Sequence, residues 1–204
     1  VAVLSAPFRS RSALSALAAL LVAVTIMSPG TAAAAGGRAS LGAAREGLTL
    51  TKERLDLMRE VMASKWFSRA PIQDPAQEET VKTAAVAQGL ELGVAAGSTR
   101  SLFAAEIAAA KEVQRGWGSH WLFYGAPADL AAPDLSGIRA SLGGISERLV
   151  ALLPRLVPLA RDPGTQARVS AAAAKILVVP YLGPQGRAEI VEALLGIRGR
   201  VAAD

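Results

Sequence analysis

The sequence predicts an all-α protein, a single domain built as a bundle of about six helices. Three observations lead there. Ala and Leu are abundant while aromatic residues make up only 4% of the chain, which disfavours sheet-forming segments. Apolar residues recur at three- and four-residue steps rather than at alternate positions. No Asn-Gly pair or similar hairpin signal occurs.

The elements follow in order. Arg9 and Arg11 precede an uncharged apolar stretch from Leu14 to Met27, broken by Ser28-Pro29-Gly30, with small residues at Ala32 to Ala35. This is the layout of an export signal over residues 1–35. The apolar stretch is about 14 residues long against the roughly 20 needed to cross a bilayer, so no stable membrane anchor is expected. Residues 36–204 then form the mature all-helical domain, with a core region over about 41–140 and a C-terminal helical part over 141–204. A Gly/Ala/Ser leader gives way to a helix from Leu41 to about Arg69, whose apolar positions include Leu48, Leu55, Met58, Val61 and Met62. Pro71 ends it, because the residue before a proline is pushed out of the helical region.

Asp74 caps the next helix, with Pro75 at its first position and Gln77 at its third in a capping-box pattern. That helix runs to about Leu92, before Gly93. Ser98 is expected to cap a third helix through Leu102, Phe103, Ile107, Ala110 and Val113 to about Trp121. After a Pro/Ala loop, Asp134 or Ser136 starts a fourth helix, whose end Pro154 and Pro158 make irregular. Thr165 to Val179 and Pro184 to Val201 complete the set.

Charge and composition exclude several classes of function. The formal net charge is +5, and setting aside Arg9 and Arg11 leaves a mild excess without a dense basic run. Nucleic acid is therefore not an expected partner. With no cysteine and one histidine, neither a disulfide nor a zinc site is expected. An acidic small molecule fits the balance better. Arg54 and Lys65 are eleven residues apart. On a helix this returns the second side chain to within roughly 20° of the first, about 16 Å along the axis. Two long, flexible cations on one face can converge on a small dianion.

Glu53-Arg54-Leu55, Lys65, Pro71-Ile72-Gln73-Asp74, Gln77-Glu78 and Ala109-Ala110-Lys111-x-x-Gln114 together resemble the all-helical chorismate mutases, in particular their exported branch. The likeness covers about Leu48 to Trp121. A looser one, Pro133-Asp134-Leu135-Ser136 with Arg139, is similar to the C-terminal half of secreted members from mycobacteria. The resemblance implies an isomerase that converts chorismate to prephenate by a [3,3] Claisen rearrangement, periplasmic or secreted, without a cofactor and as a homodimer. It implies catalytic roles for Lys65, Gln114 and Arg54. Arg54 would grip a substrate carboxylate, Lys65 would donate to the ether oxygen and a carboxylate, and Gln114 would donate the second hydrogen bond to that ether oxygen. Asp74 and Glu78 would lie near the substrate hydroxyl.

Gln77 stands where cytosolic members usually carry arginine. Arg139 is the expected substitute, with Arg59 a weaker stand-in, and Lys111 is a further candidate to face a carboxylate. Trp66, Trp117, Trp121 and Tyr124 read as core or interface aromatics, and His120 as structural. The alternative reading is an exported ligand-binding or effector protein on the same fold with little or no mutase activity.

Overall fold

The structure, a computed structural model, describes residues 29–161 and 164–200. The expected charged and apolar parts of the export signal lie outside them. α1 spans Pro29–Asp56 and α2 Met58–Ser68. α3 is Pro75–Glu91, α4 Ala96–Tyr124 and α5 Leu135–Leu156. A 3₁₀ turn at Val157–Arg161 leads to α6, Thr165–Ile176, and α7, Pro184–Leu195. Among the described residues there is no strand, only an isolated bridge between Val94 and Gly199. None of these helices is long and apolar enough to cross a membrane.

The single helix expected over Leu41–Arg69 is instead two, and among the described residues this turns about six expected helices into seven. The interruption is slight. Leu57 keeps helical angles, φ −71° and ψ −11°, and the Val61 amide still donates to the Leu57 carbonyl at 3.0 Å. The start is also earlier than expected, so the small residues Ala32 to Ala35 are helical.

Local signals explain most of the other ends. Arg69 closes α2 in the left-handed region at φ 56°, two residues before Pro71. The Asp74 carboxylate accepts from the Gln77 amide at 3.1 Å, satisfying one of the orphan donors at the start of α3. Asp134 does the same for α5, accepting from the amides of Ser136 and Gly137. Ser98 does not cap α4. The helix starts earlier, with Ala95 as its N-cap, and the Ser98 hydroxyl instead donates to the Ala95 carbonyl and accepts from the Arg198 amide. α5 continues through Pro154 and tightens into the 3₁₀ turn, the irregular end expected there. α6 stops at Ile176 and α7 at Leu195, both short of the expected Val179 and Val201.

The core is shared by both halves of the chain. Leu48 and Leu55 of α1, Leu102, Phe103 and Val113 of α4, Leu149 and Leu153 of α5, Val169 of α6, and Ile190 and Leu194 of α7 form one buried cluster. α3 approaches α4 closely because Gly89 leaves room. A Cβ there would lie 2.8 Å from the Thr99 hydroxyl.

The C-terminal part is latched to α4 by Glu112. Its Oε1 accepts from the Gly183 amide at 2.8 Å, so a side chain of α4 caps α7, whose own N-cap residue is a glycine without a side chain. The carboxylate also meets the favourable end of the α7 dipole. Glu112→Ala is expected to cost about 1 kcal/mol, the usual worth of a helix cap, read as a lower urea midpoint with an unchanged slope.

Candidate functional site

Five helices bring the polar residues together. α1 and α2 run parallel to α4, and their contacts climb in step: Thr51 meets Glu106, Met58 meets Gln114, and Trp66 meets Trp121. α3 runs back along α4 and adds Glu78 opposite Lys111. α5 contributes Ser146 beside Arg54.

Arg54 is in the last turn of α1 and only 8% exposed. Its Nη1 donates to Ser146 Oγ at 3.1 Å, and that hydroxyl donates onward to the Leu142 carbonyl at 2.8 Å. Its Nε faces Glu106 Oε2 at 3.9 Å, just beyond hydrogen-bond reach, and neither atom has another partner. Glu106 is fully buried, and Thr51 donates to its other oxygen. Burial pulls the guanidinium below its ordinary value, with Glu106 opposing. Burial also pushes the Glu106 carboxyl above its ordinary value, against Arg54 and Thr51. Each is therefore the other's main charge compensation.

Lys65 is half-buried on α2, and its Nζ donates to the Ile72 carbonyl at 2.7 Å. Burial lowers its affinity for the proton; Asp74 and then Glu78 raise it, and Lys111 lowers it. These four charges therefore share one neighbourhood. Lys111 Nζ holds both oxygens of Glu78, at 2.9 and 2.8 Å.

Gln114 lies on the α4 stripe that also carries Glu106 and Ala110, at steps of four residues. It is 5% exposed. Its Nε2 meets only the Met58 thioether, at 3.3 Å, and its Oε1 is buried without a partner.

Lys65, Asp74 and Glu78 are thus linked electrostatically, while Arg54 and Gln114 are placed beside the α4 stripe by Glu106 and Met58. Gln77 is exposed, and among the described residues only its backbone amide is engaged, by the Asp74 cap. Arg139 is exposed and, among the described residues, has no hydrogen-bond or ion-pair partner. It does lie seven residues before Ser146 on α5, hence on the same side about 10 Å away along the helix. Arg59 stacks its guanidinium over Trp117 at 5.5 Å, which commits it elsewhere. Trp121 is buried and Trp66 packs edge-on against it, as expected of core aromatics, whereas Tyr124 is 72% exposed.

Sequence reasoning missed Glu106, Ser146 and Lys111's partner. Glu106 left a signal. It is a carboxylate on the otherwise apolar face of Leu102, Phe103, Ile107, Ala110 and Val113, where a charge survives only with a buried partner. An open groove of about 530 Å³ between α4 and α7, lined by Ser98, Ser101, Glu189 and Glu192, shares none of these residues.

The arrangement can bind anionic groups and donate hydrogen bonds into a partly dehydrated site. No family model matches the chain. Over 101 residues it is 36% identical to the secreted chorismate mutase of Yersinia pestis, covering 50% of this chain and 54% of that protein. The chain thus spans about half the length of this curated relative. Its fold is similar to the crystal structure of that Yersinia pestis enzyme, with a TM-score of 0.67 and 24% identity over 76% of this chain and 98% of the other. It is also similar to the chorismate mutase of Burkholderia thailandensis, TM-score 0.64 at 28% identity, covering 75% and 96%. The Burkholderia phymatum chorismate mutase gives 0.65 at 26%, covering 77% and 96%. The all-α fold and the resemblance stated from the residues both agree with these relatives.

Proposed function

We propose that this chain is an exported isomerase that rearranges chorismate to prephenate. The observation that carries the reading is the buried amide of Gln114, which has a thioether for its N–H and nothing for its oxygen. A buried polar group left in this state costs about 1–3 kcal/mol; a ligand oxygen accepting from the N–H would replace the weak thioether with a stronger partner, while the amide oxygen takes a ligand donor. It lies on α4 against Met58, and Met58 lies between Arg54 and Lys65 along the chain.

The chemistry fits this set. Chorismate carries two carboxylates and an ether bond. In the rearrangement the ether C–O bond breaks while a C–C bond forms in the same molecule, and negative charge builds on the departing oxygen. No proton is transferred and no nucleophile is needed. A site contributes by holding the reactive conformer and by preorganised donors aimed at that oxygen. Arg54 grips one carboxylate with a planar fork. Lys65 and Gln114 donate to the ether oxygen. Glu78 and Asp74 lie on the Lys65 side, where a ring hydroxyl would need an acceptor. Export is part of the reading, supported by the expected signal over residues 1–35 and by the secreted relative. So is a homodimer: Phe67 at the end of α2 and Leu122 and Phe123 at the end of α4 are exposed apolar groups that a second copy would cover, testable by sedimentation.

Purified residues 36–204 should consume chorismate at neutral pH, followed by its loss of absorbance. A folded helical protein without turnover would sink the mutase reading and leave the binding-protein alternative. A pH profile gives a sharper check on Gln114. A carboxamide donates at any pH, whereas a carboxyl donates only when protonated. Gln114→Glu should therefore keep its rate in acid and lose it as pH rises through the new carboxyl's value, while the parent stays flat over that range.

A further inference from the structure

We infer that Lys111 is the second carboxylate-binding cation of this site, held ready by Glu78. The inference rests on the mutase reading and adds a residue to it. A dicarboxylate needs a positive partner for each end. Arg54 supplies one, and Lys65 divides its three donors between the Ile72 carbonyl, the ether oxygen and a carboxylate. Gln77 has no charge and is exposed, Arg139 is exposed and unpartnered among the described residues, and Arg59 is stacked on Trp117.

Lys111 meets the requirements that these do not. It lies three residues before Gln114 on α4, so the two share a helix face. Its side chain is only 17% exposed and that of Glu78 20%, which protects the pair from full solvent screening. Its partner Glu78 also acts on Lys65, and Lys111 itself lowers that lysine's proton affinity. An ammonium has three donors. Glu78 takes up contacts at 2.8 and 2.9 Å, and a donor remains for an incoming carboxylate. Before substrate arrives, Glu78 keeps Lys111 in position and offsets repulsion from Lys65. With substrate bound, Lys111 bridges Glu78 and the carboxylate, and Glu78 retains lone pairs for the hydroxyl. Contacts made by Lys111 are equally present before and during the reaction, so they belong to binding rather than to rate.

The test compares the parent, Lys111→Gln and Lys111→Arg. For Lys111→Gln the expected result is a KM for chorismate raised tenfold or more, with kcat lowered by less than threefold and an unchanged helical spectrum. Lys111→Arg should restore most of the affinity. The decisive readout uses two competitive inhibitors, a cyclic ether dicarboxylate and its analogue lacking the ring carboxylate. Lys111→Gln should weaken the first tenfold or more and leave the second within twofold. Equal loss for both inhibitors, or no loss for either, would overturn the inference while leaving parental turnover, and with it the mutase reading, intact. A parent that does not turn over chorismate would sink both together.

Discussion

Lys65→Ala is expected to lower kcat by about 10²–10³-fold, the usual effect of removing one preorganised donor to a developing oxyanion, with a smaller change in KM. The reason lies in where the ammonium sits. It is half-buried, tethered to the Ile72 carbonyl at 2.7 Å, and so needs little reorganisation to meet charge that appears only in the transition state. Its environment also predicts a pH signature. Burial pulls Lys65 below the ordinary lysine value, Asp74 and Glu78 on the α3 side hold it up, and Lys111 on α4 pushes it down again. The charged form is the active one, so kcat/KM should fall as pH rises through that lowered value. Removing a carboxylate that supports the ammonium moves the limb to lower pH, as in Glu78→Gln. Removing the repelling cation moves it up, as in Lys111→Gln. A rate for Lys65→Ala within threefold of the parent, or an alkaline limb that neither variant shifts, would show that Lys65 merely ties the Ile72 loop to α2.

The parts of this molecule that could be read from the sequence are those governed by near neighbours. Asp74 before Pro75 and Asp134 before Ser136 are caps because a carboxylate reaches amides two or three residues on. Pro71, Pro154 and Pro158 act on the residues beside them. The failures come from interactions across the bundle. Ser98 looked like a cap, but it is used by Arg198, 100 residues away, and α4 begins at Ala96 without a side-chain cap. The slight break at Leu57 has no local marker, and nothing in the surrounding contacts explains it. Arg54, Lys65 and Gln114 could be picked out as candidates, yet the pairing of Met58 with Gln114 depends on the register of α2 against α4, which periodicity does not fix. Lys111 and Glu78 are 33 residues apart, and only the antiparallel packing of α3 on α4 makes them partners. Glu106 was missed because an isolated glutamate in an Ala-rich helix reads as solvated until its burial is known.

That burial makes Arg54→Ala the most disruptive single change, with two separable effects. Activity should fall to near background, because no other side chain offers a planar fork at that position. Stability should fall by about 3–5 kcal/mol, the cost of leaving a buried charge without its partner. Glu106 would keep only Thr51. The penalty should depend on pH. Burial already holds the Glu106 carboxyl above its ordinary value, and Arg54 is the larger of the two influences that lower it. Without Arg54 the folded-state value rises further above the unfolded one. The folded state then binds more protons, so stability falls as pH climbs from the unfolded value to the raised folded one, and the variant is least impaired in acid. Adding Glu106→Gln separates the two effects. The amide removes the orphaned charge at nearly constant shape, so the double variant should recover more than half of the lost stability and none of the activity, read by urea midpoint and chorismate consumption on the same sample. If turnover survived in Arg54→Ala, the arginine would serve only as a counterion for Glu106. If the double variant were no more stable than Arg54→Ala, the cost would lie in lost packing of the arginine stem, and the buried pair would not be what fixes Arg54 in place.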